Sequence, residues 1–285
     1  MNAGSERGLV EKRVRDWADL RKRALTAALL GPAAITCMWL GANWWTALMA
    51  LCMAGLTWEW VRMCGGSTRR SPGMVVPVAV LAAGTASVME LLPIALVLLA
   101  VGSLMASGLA RRGKVPPLWL GFGVLYIGIA GISLIELRHA DAAGRENVIF
   151  LFMVVWASDI GAYMAGRALG GPKLWPAVSP NKTWAGAVGG LLAAIAVGLA
   201  TAALLEPGGL AIGIAGAAAI LAVFTQMGDL LESWIKRHFG VKDSSALIPG
   251  HGGLLDRLDG VLAAAPVAAM LGAALGPGVH LWRWV

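Results

Sequence analysis

Long apolar runs, separated by short polar segments, dominate the chain. Three clear examples cover residues 91–110, 184–205 and 208–228, and a helix of about 20 apolar residues spans the hydrocarbon core of a bilayer. The whole pattern predicts nine membrane-spanning helices, at residues 24–40, 42–61, 74–89, 91–110, 115–135, 147–166, 184–205, 209–231 and 258–279. The predicted fold is therefore an all-α, polytopic membrane bundle.

The composition excludes an ordinary soluble domain. Hydrophobic residues make up 58% of the 285 residues and charged residues only 14%, whereas soluble domains carry about 25% charged residues. The net charge of +7 would also fit a nucleic-acid-binding protein, but the Lys and Arg residues lie in the segments between the apolar runs. We therefore expect a lipid bilayer, and no nucleic acid, as a partner.

The distribution of positive charge predicts the orientation in the membrane. With the N-terminus inside, 20 of the 23 Lys and Arg residues fall in inside segments, and the outside keeps Arg138, Arg145 and Arg283. This asymmetry follows the positive-inside rule. We expect a multi-pass protein of the cell inner (plasma) membrane with a cytoplasmic N-terminus.

The same pattern divides the chain into three parts. Residues 1–23 form a basic segment without the apolar core of a signal peptide, so we expect it to be retained in the cytoplasm. Residues 24–145 form the N-terminal membrane helices. Residues 146–285 form a C-terminal membrane region with a cytoplasmic loop at 232–257, and this region is predicted to be catalytic because most polar residues at or inside apolar runs lie there.

A polar stripe lies at the end of the eighth predicted span. Its members follow helical spacing on one face: Asp229, Glu232, Ser233, Lys236 and Arg237. A charged side chain costs about 2.5 to 3.5 kcal/mol at the bilayer centre, so such groups usually face a wet cavity. The alternative is salt bridging within the helix.

A second polar group covers the sixth predicted span and the loop that follows it. Asp159 and Tyr163 share one helical face, and the loop at 170–186 offers hydroxyl, amide and ammonium donors on Ser179, Asn181, Lys182 and Thr183. Such donors suit phosphate oxygens. The alternative is a helix-start turn at residues 180–181 with Thr183 packed inward.

The third polar segment precedes the ninth predicted span. Gly252 and Gly253, beside His251, allow backbone N–H groups to turn toward an anion. Asp256 and Asp259 are three residues apart at a helix start, hence on one face. Helix capping accounts for one such aspartate but not for all the acids of this segment. Carboxylates among Lys and Arg residues indicate Mg²⁺ together with a polyphosphate.

These segments together resemble the signature of the phosphatidate cytidylyltransferases, also called CDP-diacylglycerol synthases. The resemblance rests on Ser233-Trp-Ile-Lys236-Arg237, on Lys242-Asp243 and on His251-Gly252-Gly253-Leu-Leu-Asp256-Arg257-Leu-Asp259. It extends to Gln226-Met-Gly-Asp229, Ser179-Pro-Asn-Lys182-Thr183, Asp159-Ile-Gly-Ala-Tyr163 and Trp58-Glu59. It covers most of the chain, although the first half is similar mainly in its pattern of spans. Ala185 departs from the family, which commonly has glutamate at that position.

The resemblance implies a reaction and a set of roles. CTP and phosphatidic acid would give CDP-diacylglycerol and pyrophosphate, with Mg²⁺ as cofactor. The expected Mg²⁺ ligands are Asp229 and Asp256, with Asp159 and Asp259 as outer or alternate ligands. Cations expected to contact the phosphates are Lys182, Lys236, Arg237, Lys242 and Arg257. Further substrate-binding groups are expected at Ser179, Thr183, His251, Gly252 and Gly253.

Two other functions stay open from the sequence. A secondary transporter for an anionic solute would also carry intramembrane Asp and Lys, although it should show paired, broken helices in two corresponding halves. Another lipid cytidylyltransferase or phosphotransferase is the second. Glu59, inside an early span, either completes the polar site or caps a partner helix. A homodimer is the oligomeric state that the resemblance implies.

Overall fold

The computed structural model describes residues 26, 28–248, 250, 252–276 and 278–284. The predicted cytoplasmic segment at 1–23 and His251 lie outside this part. The described chain forms nine α-helices: α1 (Ala28–Leu40), α2 (Ala42–Met63), α3 (Val75–Val88), α4 (Leu92–Ala110), α5 (Pro117–His139), α6 (Gly144–Leu169), α7 (Trp184–Leu205), α8 (Ala211–His238) and α9 (Leu255–Leu275). The predicted all-α membrane fold is confirmed.

Six of the helices in the described part of the chain are long and apolar enough to cross a membrane, namely α4 to α9. Two others, α1 and α3, are apolar but shorter, and α2 has 22 residues. Each of the nine predicted apolar spans coincides with one helix. That all nine cross the bilayer stays a prediction.

The helix ends differ from the predicted span ends at the polar segments. The eighth span was predicted to end at residue 231, but α8 continues to His238. An apolar run in the sequence marks only the part of a helix that lies in the hydrocarbon core of the bilayer. The backbone hydrogen bonds of the helix continue beyond that core into the polar region. The whole polar stripe at 229–237 therefore lies on one continuous helix.

Small residues allow the helices to approach closely. On α5, which contacts α2, α3, α4, α6 and α9, a Cβ atom at Gly123 would lie 2.1 Å from Nε1 of Trp60. The Trp60 indole instead fits against the bare backbone and donates a hydrogen bond to the Trp119 carbonyl at 2.9 Å. Helices α6 and α7 are similarly close, since a Cβ atom at Gly161 would lie 2.4 Å from the Ala193 methyl group.

A two-stranded antiparallel sheet interrupts the helical order between α6 and α7. Strand β1 is Lys173–Trp175 and β2 is Ser179–Thr183, with Lys173 opposite Thr183 and Trp175 opposite Ser179. The sequence predicted only a loop here, because strands of three and five residues are too short to show a clear alternation. The hairpin fixes the position of Lys182 at the start of α7.

The C-terminal residues fold back over the end of the bundle that lies opposite the hairpin. The predicted ninth span reached residue 279, but α9 ends at Leu275. The Leu281 N–H then donates to the Asn147 side chain at 2.9 Å, and the Trp282 ring stacks on Phe150 with centroids 4.5 Å apart. The C-terminal residues therefore pack onto this end of the bundle, and the polar segments singled out in the sequence lie at the other end.

Candidate active site

One end of the bundle collects the polar segments that the sequence singled out. Consecutive helices run in opposite directions, so the last turns of α2, α6 and α8 lie beside the first turns of α7 and α9. A cavity of about 590 Å³ lies between α6, the hairpin, α7 and α8. Its lining includes Asp159, Tyr163, Lys182, Thr183 and Asp229. The structure thus joins the first and second predicted polar groups.

Lys182 and Asp229 form an ion pair across this cavity, between β2 and α8. Both side chains are partly exposed, at 27% and 33%, so they lie at a wet surface of the cavity. Asp159 on α6 and Asp259 on α9 interact electrostatically with this pair and with each other. One lysine–carboxylate pair therefore lies within electrostatic range of carboxylates from two further helices.

Neutral polar groups hold the walls of the cavity together. The Gln226 side-chain amide on α8 donates to the Ala187 carbonyl at 3.1 Å and lies 3.4 Å from the Ser158 hydroxyl. Thr183 is buried, and its hydroxyl accepts the Gly186 N–H at 3.1 Å. Thr183 is packed inward as the alternative predicted, and it caps α7 and also lines the cavity. Residues 180–181 lie in strand β2, so the predicted helix-start turn at these two residues is wrong. Ser179 pairs with Trp175 in the hairpin and does not line the cavity.

A second charged group lies where α8 packs against the start of α9. The Lys236 ammonium is 2.6 Å from the Glu232 carboxylate and 2.7 Å from that of Asp256. All three side chains are largely buried, at 14%, 1% and 9% exposure. The salt bridge within α8 that the sequence offered as an alternative is confirmed for Glu232. Lys236 also reaches another helix, and Asp229 pairs outside α8, so salt bridging within α8 does not account for the whole stripe.

Asp256 organises the loop that precedes α9. Its Oδ2 atom accepts the Ser244 N–H and hydroxyl, both at 3.0 Å, and the Gly253 N–H at 2.9 Å. The glycine segment was predicted to turn N–H groups toward an anion, and the Gly253 N–H points to this carboxylate. A Cβ atom at Gly253 would lie 1.8 Å from the Ser244 hydroxyl, so no side chain fits there.

Glu59 joins this region from α2. It is fully buried and accepts hydrogen bonds from the backbone N–H groups of Leu254 and Leu255 at 2.8 and 2.7 Å. Of the two roles that the sequence left open, capping a partner helix is the one observed. The sequence signals were an isolated acid in an apolar run and the family resemblance of the pair Trp58-Glu59.

Tyr126 on α5 is a further polar residue near these groups, and the sequence pattern does not single it out. It interacts electrostatically with Glu232 and Asp259, and its hydroxyl is buried without a hydrogen bond to any described residue. A lone Tyr in an apolar span gives no signal of its own.

The remaining predicted cations lie at the exposed surface of the same segments. Arg237, Lys242 and Arg257 are all exposed, and the structure gives Arg237 a long 3.5 Å contact to the Val241 carbonyl. Gly252 has a positive φ of 87°, a conformation that glycine adopts without strain. Contact of these residues with a substrate stays a prediction, as it does for His251 outside the described part.

The fold and site define an integral membrane protein with a polar, lysine-containing site suited to anionic groups. The chain belongs to the cytidylyltransferase family, whose model matches residues 21–275. This confirms the resemblance seen in the signature segments.

The chain is similar to curated phosphatidate cytidylyltransferases from several bacteria. The protein of Brucella suis biovar 1 (strain 1330) is 39% identical over 260 residues, which cover 90% of this chain and 94% of the relative. That of Brucella melitensis biotype 1 is 38% identical over the same shares. A shorter match, 42% identical over 148 residues, joins 52% of this chain to 56% of the Staphylococcus aureus (strain COL) protein.

Proposed function

We propose that this protein is a phosphatidate cytidylyltransferase, which converts CTP and phosphatidic acid into CDP-diacylglycerol and pyrophosphate. The observation that carries this conclusion is the convergence of the signature residues at one end of the bundle, as two lysine–carboxylate pairs. Lys182 with Asp229, and Lys236 with Asp256, bring together residues that are far apart in the chain. The curated relatives with this activity in their names match 90% of the chain.

The reaction needs charge stabilisation more than it needs a strong base. The attacking group is a phosphate oxygen of the lipid, and its second pKa near 6 leaves it largely ionised at neutral pH. This oxygen attacks the α-phosphorus of CTP, the α–β phosphoanhydride bond breaks, and pyrophosphate leaves. Two anions must therefore be held in line while negative charge builds up between them.

The two lysines suit this task because their ammonium groups are already in position. The Lys182 side chain is held by Asp229 and the Lys236 side chain by Glu232 and Asp256. Charges that are fixed before the reaction stabilise the transition state without further reorganisation. In the proposal, both ammonium groups bind phosphate oxygens of the substrates.

We also propose that Mg²⁺ binds beside Asp229. No three Asp, Glu, His or Cys side chains of the described residues form a metal-binding group, but Mg²⁺ usually takes only one or two carboxylates, with water and substrate phosphates completing its shell. Asp159, Asp229 and Asp259 lie within electrostatic range of one another and of Lys182, and a bound cation would offset the repulsion between these acids. The ion would offset the charge of the triphosphate and help to align it.

The contacts of Asp256 support it as a Mg²⁺ ligand less strongly than those of Asp229 do. Both of its oxygens are already engaged, by Lys236 on one side and by Ser244 and Gly253 on the other. Asp256 would have to exchange the lysine for the ion. We therefore propose Asp229 as the principal ligand and keep Asp256 as a ligand to be tested by mutation.

We propose that the site faces the cytoplasm, so that CTP enters from the water and the lipid enters sideways from the bilayer. The excess of Lys and Arg in the segments at this end supports the orientation. Single cysteines at Arg69, Arg112 and Ala246 should react with an impermeant reagent only from the cytoplasmic side, and one at Ala142 only from outside. All four positions are exposed. Reaction of position 246 from outside would reverse the proposed orientation.

The proposed activity can be separated from transport in detergent solution. Purified protein in micelles has no compartments, so a transporter produces nothing there, whereas a cytidylyltransferase converts labelled CTP and phosphatidic acid with Mg²⁺ into a labelled lipid. We expect a CDP-lipid that is absent when phosphatidic acid is replaced by diacylglycerol. Its formation from diacylglycerol alone would indicate a different lipid transferase. The transporter alternative is not favoured, because the lysine–carboxylate pairs of the site lie toward one end of continuous helices.

A further inference from the structure

A buried carboxylate on α2 fixes the segment that carries the family signature. Glu59 accepts the N–H groups of Leu254 and Leu255 and the Ser245 hydroxyl. A buried charge is unfavourable unless hydrogen bonds satisfy it, and donors from a single segment do so here. Because that segment includes the first residue of α9, Glu59 binds α2 directly to the start of α9.

The surface of α2 around Glu59 also fits this segment closely. Gly55 lies one turn before Glu59 on the same face of the helix. A Cβ atom at Gly55 would be 3.1 Å from a Leu254 methyl group and 3.4 Å from one of Leu247. Leu247 and Leu254, from the two sides of the loop, therefore lie against the bare backbone of α2 at Gly55. The Glu59 carboxylate fixes the loop in this position.

A short series of contacts leads from Glu59 to the charged group. The Ser244 hydroxyl is 3.3 Å from a Glu59 oxygen and 3.0 Å from Asp256 Oδ2. The Gly253 backbone fits between the two acids, since a Cβ atom there would lie 2.9 Å from Glu59 and 3.0 Å from Asp256. Asp256 in turn holds the Lys236 ammonium at 2.7 Å. Movement at Glu59 would therefore be transmitted to Asp256 and to Lys236.

We infer that Glu59 is a positioning residue for cytidylyl transfer, which sets the geometry of Asp256 and Lys236 by anchoring the described loop residues at 244–248 and 252–254 to α2. The inference rests on the proposed function. Glu59 binds backbone N–H and serine hydroxyl groups of the loop, so its effect on the reaction passes through the loop. The first half of the chain thereby contributes to a site whose charged residues all come from the second half.

Glu59→Gln tests this role with little change in size. Glutamine keeps one carbonyl oxygen, but an NH₂ group replaces the other oxygen and faces N–H donors. The hydrogen bonds that this second oxygen accepts are therefore lost. We expect kcat for CDP-lipid formation to fall about tenfold or more, with the KM for phosphatidic acid within about twofold of wild type. Glu59→Asp keeps the charge and should recover part of the lost kcat.

Glu136→Gln is the matched control. Glu136 is likewise an acid on an apolar helix, although it is only partly buried whereas Glu59 is fully buried. It accepts the Ser87 hydroxyl at 2.6 Å and lies at the opposite end of the bundle. We expect its kcat to stay within about twofold of wild type, since its hydrogen bond with Ser87 lies far from the site and the glutamine side chain keeps an oxygen that can accept it. An equal loss of kcat in Glu136→Gln and Glu59→Gln would overturn the inference, because it would indicate a general cost of removing a buried acid.

A second measurement follows the loop without using activity. Leu255 is fully buried and its N–H group binds Glu59. In a background with Leu255→Cys and the native cysteines replaced by alanine, the rate of maleimide labelling at position 255 therefore reports how often this segment leaves α2. Glu59→Gln should raise this rate at least threefold, and Glu136→Gln should leave it unchanged. If Glu59→Gln does not insert, Ser245→Ala removes one donor to Glu59 and should show faster labelling with a smaller loss of kcat.

The two measurements separate failure of the inference from failure of the proposed function. Unchanged labelling together with an unchanged kcat, in Glu59→Gln or in Ser245→Ala where that variant is used, would overturn the positioning role. Absence of CDP-lipid formation by the wild-type protein would instead overturn the proposed function. The labelling rate would still show whether Glu59 anchors the loop.

Discussion

Lys182→Ala and Lys236→Ala should lose most of their cytidylyltransferase activity while the protein still accumulates in the membrane. Each ammonium group is proposed to stabilise negative charge on the reacting phosphates. Removing one fixed donor to a developing negative charge typically lowers kcat by about 10² to 10³-fold. We expect losses in this range, measured as initial rates of CDP-lipid formation per amount of purified protein.

The structure predicts that the two lysine variants differ in stability. Lys182 and Asp229 are partly exposed, and an exposed ion pair contributes only about 0 to 1 kcal/mol to the free energy of unfolding. Removing Lys236 leaves Glu232, which is 1% exposed, as an unpaired buried charge. Loss of one partner of a buried pair costs about 3 to 5 kcal/mol, so Lys236→Ala should unfold at a lower temperature than Lys182→Ala.

A double variant separates these two effects of Lys236. Lys236→Met together with Glu232→Gln removes both charges and keeps similar volumes, so it should recover much of the stability without recovering activity. Lys173→Ala is the matched control for Lys182, since Lys173 lies exposed on the neighbouring strand. Its activity should remain near that of wild type. Near-normal activity in both Lys182→Ala and Lys236→Ala would reduce the two ion pairs to structural salt bridges.

Asp229→Asn and Asp256→Asn should insert and fold but lose about 10²-fold or more of the activity, in line with the loss of a fixed charge at the reacting centre. Asparagine retains the size and one oxygen of aspartate but not its charge, so the Mg²⁺ concentration needed by any remaining activity should rise. The double variant should be scarcely worse than either single variant, because residues that act as one unit have non-additive effects. Rates measured over a range of Mg²⁺ concentrations test all three expectations.

The two aspartate variants should differ in their effects on the stability of the protein, because the two side chains have different contacts. Asp256 also holds Ser244 and Gly253, so its variant should loosen the loop as well as slow the reaction. Asp229 has no such role among its described contacts, and its variant should keep wild-type stability. If both variants retained near wild-type rates at low Mg²⁺, the metal site would be wrong as assigned, and Asp159 with Asp259 would be the pair to test next.

The sequence predicts the faces of individual helices better than it predicts which helices meet. The spacing of Asp229, Glu232 and Lys236 already defines one polar face, because helical periodicity is a local property. Their partners on other elements, Lys182 and Asp256, depend on how the bundle packs. No spacing rule links residues 47 positions apart, as Lys182 and Asp229 are.

For Glu59, too, the sequence does not predict which residues of other helices it contacts. Its burial in a membrane helix marks it as a functional candidate, but the sequence alone cannot tell a cap from a site residue. The distinction comes from the backbone N–H groups of Leu254 and Leu255, and these point to Glu59 only after α2 and α9 have packed. Family resemblance identified the pair Trp58-Glu59 without indicating what it contacts.

A lipid phosphate is proposed to attack the α-phosphorus of CTP at this site. Purified protein should be incubated with phosphatidic acid, Mg²⁺ and CTP that carries radioactive phosphorus either in the α or in the γ position. The α label should appear in the lipid product and the γ label only in pyrophosphate, and Lys182→Ala should abolish most of both. Transfer of the γ label to lipid, or an undiminished rate in Lys182→Ala, would contradict the account.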